Sequence, residues 1–155
     1  MKGKKEITIY SPMEGSAVYL EAVGDGVFSS GMLGNGIAIE PGKGRAVAPV
    51  AGIVSMVFET RHAVGITADN GVEILIHIGL DTVQLNGKYY ITHVNTGDHV
   101  NIGDLLVEFD IENIKMEGYP VITPIIITNT PDYKLVKLLT TGEVKEKVEL
   151  IRVSK

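Results

Sequence analysis

Four histidines, His62, His77, His93 and His99, are the side chains in this sequence that folding alone explains least. The chain has no cysteine, which excludes thiol nucleophiles, thiolate metal sites and disulfides. His93 and His99 lie in the polar, turn-rich stretch Thr92–Asp104 and read as solvated loop residues. His77 interrupts the apolar run Ile74-Leu75-Ile76-His77-Ile78. An imidazole there must be either a hydrogen-bonded core residue or a functional one.

The neighbouring segment favours function. Thr60–Ala68 and Val72–Gly79 are strand-like and joined through Asp69-Asn70-Gly71, a hairpin signal. A two-residue loop at Asn70-Gly71 sets His77 opposite Val64, with His62 its diagonal neighbour. A four-residue loop over Ala68–Gly71 sets His62 directly opposite His77. Both registers have one parity and predict the two imidazoles on one face, with Cβ atoms about 4.5–5.5 Å apart if opposite and about 7–8 Å if diagonal. Thr60 shares that face if the strand reaches back to it. Two imidazoles and a hydroxyl in an apolar surround suit phosphoryl chemistry. A neutral imidazole is a nucleophile, a second one can donate to phosphoryl oxygens, and an apolar rim slows hydrolysis. The same pair could hold zinc as a regulatory or incidental ion, although two ligands leave the coordination shell incomplete. No His-x-His pair of the zinc-peptidase kind occurs.

Other chemistries fit less well. No P-loop is present, because Gly42-Lys43 is followed by Gly44 and no glycine stands five positions earlier. Gly31, Gly34 and Gly36 are spaced in the wrong order for a dinucleotide fingerprint. Ile114-Lys115-Met116-Glu117 superficially resembles the modified-lysine turn of biotinyl and lipoyl carriers, but it lacks Met-Lys-Met and leaves both histidines unexplained. The net charge of −5, with no basic stripe, argues against nucleic acid and fits a basic protein partner. The basic Met1-Lys2-Gly3-Lys4-Lys5 is not followed by a signal core, and no apolar run reaches the roughly 20 residues that span a bilayer. The expectation is a cytoplasmic protein that does not insert into a membrane.

The elements that must position the histidines are short. Eighteen glycines are spread through 155 residues, with β-branched runs between them. Examples are Ser16–Glu21, Gly36–Glu40, Gly52–Phe58, Val64–Ala68, Val72–Ile78, Leu105–Asp110 and Ile125–Thr128. They predict an all-β, antiparallel sandwich or barrel forming one domain over residues 1–155, with residues 1–10 as a short N-terminal extension. Helix is minimal, with single turns expected at Ile111–Met116 and Asp132–Leu139. Ser11-Pro12-Met13-Glu14-Gly15 is echoed by Ala48-Pro49-Val50-Ala51-Gly52, each ahead of a strand-like run. The echo reads equally as a duplicated β motif or as ordinary turn chemistry.

With these residues assembled, the sequence resembles the glucose-type enzyme IIA family of the bacterial phosphoenolpyruvate-dependent sugar phosphotransferase system. The matching segments are Pro12-Met13-Glu14-Gly15, Asp25-Gly26-Val27-Phe28, Gly34-Asn35-Gly36-Ile37-Ala38-Ile39 and Ala48-Pro49-Val50-Ala51-Gly52. Phe58-Glu59-Thr60-Arg61-His62-Ala63, Glu73 through Val83, and Thr123-Pro124 with Thr128-Asn129 complete them. The resemblance implies a β sandwich built from a duplicated motif, with no required cofactor. It implies that phospho-HPr gives its phosphoryl group to Nε2 of His77, which passes it to a cysteine of a IIB domain during sugar uptake. His62 then supports the phosphoryl group and Thr60 hydrogen-bonds to His62. Asp25 and Asp81 meet a partner's arginine, and Val27, Phe28 and Phe58 belong to an apolar partner-binding rim. Asn35 replaces the family's frequent Asp, and Arg61 its usual Asn or Lys. The chain length suggests a free-standing protein.

Overall fold

The computed structural model describes residues 6–155. Fourteen strands and one short helix follow in order. They begin with β1 (Glu6–Tyr10), β2 (Gly15–Tyr19), β3 (Asn35–Pro41), β4 (Arg45–Val47), β5 (Gly52–Val57), β6 (Ala63–Ala68) and β7 (Glu73–His77). Then come β8 (Tyr90–Thr92), β9 (His99–Val100), β10 (Leu105–Phe109), α1 (Ile111–Met116), β11 (Thr123–Ile127), β12 (Leu135–Leu138), β13 (Gly142–Val144) and β14 (Glu149–Ser154). Every strand pair is antiparallel. The N-terminal stretch expected as an extension is strand from Glu6 onward, and residues 1–5 lie outside the described residues. No helix of the described residues is long and apolar enough to cross a membrane.

The Pro-x-x-Gly echo is a true repeat. The eight-stranded sheet runs β13-β2-β3-β11-β7-β6-β5-β9, and two three-stranded sheets run β1-β14-β12 and β4-β10-β8. Exchanging β13 with β9, β2 with β5, β3 with β6 and β11 with β7 maps the large sheet onto itself, and the two small sheets trade places. The halves interlock by reciprocal bonds: Tyr10 N–H donates to the Pro49 carbonyl at 3.0 Å and Val47 N–H to the Pro12 carbonyl at 2.7 Å. The next residue in each repeat is bonded alike, Ser11 with Val148 and Lys147, and Ala48 with Asp104 and Gly103.

Two layers of apolar side chains result. Alternation along β6 and β7 sends Val64, Ile66, Ile74 and Ile76 into the main core. Leu75 turns to the other face of the sheet, where a smaller cluster of Leu20, Phe28, Ala38 and Ile126 forms under the loop joining β2 to β3. That second layer carries the site.

The predicted helical turn at Ile111–Met116 is α1, capped by the Asp110 carboxylate on Asn113 N–H. The turn expected over Asp132–Leu139 is instead strand β12. Val136 and Leu138 both pack on the core while Leu135 and Lys137 face out, a period of two. Only Thr130–Asp132 is helical, as a single 3-10 turn. β1, β4, β8, β9, β13 and β14 carry no expected run, since they are short or interrupted by charge.

Gly15 and Gly52 occupy equivalent positions in the two repeats, and a Cβ on either would press into a facing carbonyl oxygen, of Glu40 and Thr67 respectively. We expect Gly52→Ala to lower unfolding free energy by more than about 2 kcal/mol in urea titrations, whereas Gly42→Ala, whose Cβ would meet only the Glu14 carbonyl at 3.8 Å, shifts it by less than about 1 kcal/mol.

Candidate active site

His77 closes β7, on the same face as Leu75 and paired with Ala63 across the ladder. The β6–β7 loop has three residues, 69–71, with Ala68 N–H donating to the Val72 carbonyl at 2.8 Å. Neither predicted loop length is found, and the register has the opposite parity. Simple alternation would therefore send His62 away from His77. The chain corrects this just before β6. Arg61 adopts a left-handed conformation (φ 64°), Arg61 N–H donates to the Phe58 carbonyl, and Phe58 N–H donates to the Ala63 carbonyl. This tight turn rotates His62 out of strand geometry while Ile78 N–H still holds its carbonyl at 2.7 Å. The two imidazoles meet edge to face, with ring centroids 4.7 Å apart and planes at 83°.

Each ring is oriented through Nδ1. His77 Nδ1 lies 2.8 Å from the Gly79 carbonyl. A carbonyl only accepts, so Nδ1 carries the hydrogen and Nε2 of the neutral ring keeps a free lone pair. His62 Nδ1 lies 2.8 Å from Thr60 Oγ1. A hydroxyl can donate there, which leaves His62 Nε2 protonated as a donor. His62 is only 2% exposed, and burial, followed by the nearby His77, lowers its pKa to about 4. His77 is half-buried, and burial lowers its pKa too. The bond to Gly79 and the carboxylates of Asp25 and Asp81 partly offset that effect. Both rings are neutral at neutral pH.

His77 opens into a depression of about 500 Å³ lined by Asp25, Val27, Phe28, Leu33, Phe58 and Asp81, with Leu75, Leu80, Val83 and Pro120 completing the wall. Phe28 is 7% exposed and its ring stands 4.9 Å from that of His77, so it packs on the imidazole more than it faces outward. Phe58 meets His62 edge-on at 5.6 Å. Val27 is exposed. The Asp25 carboxylate accepts the N–H groups of Val27, Phe28 and Ser29. Those bonds outweigh its burial and lower its pKa. Asp81 is exposed, in a left-handed conformation at the head of a 3-10 turn. Every site residue named from the sequence thus falls in one place. Leu33, Leu80, Val83 and the Gly79 carbonyl were not named. The Gly79 carbonyl was foreshadowed only by a glycine directly after the apolar run. His93 and His99 are exposed and face Glu108 and Asp69. Among the described residues no group of three or more His, Cys, Asp or Glu could hold a metal.

A sequence model of the phosphoenolpyruvate-dependent sugar phosphotransferase system, EIIA 1, matches residues 7–133. The chain belongs to this family. It is an EIIA domain of that phosphotransferase system. It is 51% identical over 153 residues to the beta-glucoside-specific EIIBCA component of Bacillus subtilis, covering 99% of this chain and 25% of that protein. It thus spans about a quarter of the length of that relative. It is 52% identical over 132 residues to the glucose-specific EIIA component of Staphylococcus aureus, covering 83% of this chain and 80% of the relative. The solved glucose permease IIA from Mycoplasma capricolum superposes with a TM-score of 0.90 at 38% identity, covering 96% of each chain.

Burial of a neutral His62 makes EIIA stability depend on pH. Its folded pKa of about 4 lies below the ordinary 6.5, so the unfolded chain binds more protons between those values. Stability is therefore full above pH 6.5 and falls as the pH drops, by about 3 kcal/mol at pH 4. Urea titrations across this range should show that loss, and His62→Gln should reduce it, leaving the part contributed by the buried His77.

Proposed function

We propose that Nε2 of His77 is the phosphoryl acceptor. The observation that carries this reading is the Nδ1–H bond to the Gly79 carbonyl, which leaves Nε2 free. The Nε2 lone pair attacks phosphorus, a new N–P bond forms, and the bond to the donor nitrogen breaks. No proton must leave His77 first, because Nδ1–H stays on the ring and the Gly79 carbonyl takes up part of its positive charge. His62, aligned by Thr60, donates Nε2–H to a phosphoryl oxygen and stabilises the transferring charge. In the onward step a thiolate attacks phosphorus, an S–P bond forms, the N–P bond breaks and His77 returns to neutral.

The donor is phospho-HPr and the acceptor a cysteine of a IIB domain. The likeness to glucose-specific and beta-glucoside-specific components supports this, and the carrier works on the cytoplasmic side, where those partners meet it. The exposed Val27, Leu33 and Val83 offer an apolar docking rim, with Phe58 beside them. The carboxylates of Asp25 and Asp81 favour a cationic partner surface, while Asp25 also shapes the loop that lays Phe28 over His77. The carrier needs no cofactor; a zinc ion at His62 and His77 would need ligands from a partner.

Incubation with phosphoenolpyruvate, enzyme I and HPr should yield acid-labile, base-stable phosphate. His77→Ala should take up none, and label retained by that variant would remove the assignment. His62→Ala should still be labelled but pass phosphate to IIB about 100-fold more slowly, the usual loss for one charge-stabilising donor.

A further inference from the structure

Two buried hydroxyls beside the site have no role in the mechanism above. Thr82 Oγ1 and Tyr90 Oη each donate to the Ile78 carbonyl at 2.8 Å. Thr82 is fully buried and Tyr90 is 2% exposed, with its ring stacked against Phe109. One hydroxyl would suffice to satisfy that carbonyl, which lies one peptide ahead of the group that binds His77.

The backbone explains the second. After β7 the chain turns at Gly79, whose φ of 92° belongs to a residue free to rotate unless both flanking peptides are held. The peptide after Gly79 is held by Leu80 N–H, which donates to the Pro120 carbonyl at 3.1 Å. The peptide before it is held by the two hydroxyls at its oxygen, and Ile78 N–H on the other side anchors the His62 carbonyl. Thr82 also closes on Gly79 directly, since a Cβ there would come within 2.5 Å of Thr82 Cγ2. The direction of the Gly79 carbonyl is thus set jointly by these contacts, and with it the nitrogen of His77 that keeps its hydrogen.

We propose that Thr82 and Tyr90 are positioning residues: their hydroxyls lock the Ile78–Gly79 peptide so that the Gly79 carbonyl selects the Nδ1–H tautomer of His77. This rests on His77 Nε2 being the acceptor. Tyr90→Phe and Thr82→Val each remove one hydroxyl and keep the shape, and Thr82→Ser keeps the hydroxyl. The Ile78 carbonyl retains one donor in every single variant, so the fold persists, and thermal melts check that it does.

The test joins two readouts. Nitrogen-15 imidazole spectra of the unphosphorylated protein report the His77 tautomer without any transfer reaction. Steady-state transfer from phospho-HPr then reports kcat and KM. Tyr90→Phe and Thr82→Val should each populate the Nε2–H tautomer of His77 and lower kcat about fivefold, the effect of one buried hydrogen bond, with KM unchanged. Thr82→Ser should restore both values. An unchanged tautomer and kcat in Tyr90→Phe and Thr82→Val, or a loss that follows only the melting temperature, would overturn the proposal. Label on His77→Ala would instead defeat the acceptor assignment and leave the tautomer result standing.

Discussion

The bond from His77 Nδ1–H to the Gly79 carbonyl is a single neutral hydrogen bond, yet much of the surrounding structure serves it. A carbonyl can be placed opposite a strand-end histidine only if the chain reverses at once, which a glycine with positive φ permits. Reversal leaves backbone groups that must find partners in a buried setting, and they find them in Thr82, Tyr90 and Pro120. Burial then keeps both imidazoles neutral, since a charge on either would be poorly solvated and charges on both would repel.

Burial and reactivity pull against each other here. A nucleophile sealed in the core would meet no partner, and one in open solvent would be protonated in mild acid and lose its phosphoryl group to water. The sheet resolves this by placing His77 on the face opposite the main core, under a thin second layer. Phe28 covers one side of its ring and His62 another, and the rest opens into an apolar depression with two carboxylates at its rim.

Composition and periodicity revealed the architecture because β-branched runs between glycines have few alternative folds. The Pro-x-x-Gly echo, which by itself reads equally as turn chemistry, does mark a duplicated unit. Short strands such as β9 and β13 stayed hidden, since two or three residues carry no period. The β12 region read as helical because Leu135-Val136-Lys137-Leu138, three apolar residues around a lysine, is too short to separate the two periods. The pairing of the two histidines was expected for the wrong reason: strand parity predicted it, but the true register opposes it, and a left-handed Arg61 restores it. No residue rule forecasts that turn, because arginine has no preference for positive φ. The motif segments named the residues that the structure gathers around His77 and His62, where local geometry could not.

The two repeats of the scaffold are not equivalent where chemistry is concerned. Ala63 pairs with His77 in one, and the same position in the other is Gly36 paired with Ile126. The place that holds an imidazole in one repeat is filled in the other by a fully buried isoleucine. Duplication thus supplied two seats, of which one became reactive and the other was closed with hydrocarbon. With His77 as the proposed acceptor, a half-turn about the pseudo-axis shows a docking protein no second one. On that proposal donor and recipient share one doorway, and the traffic through it is sequential.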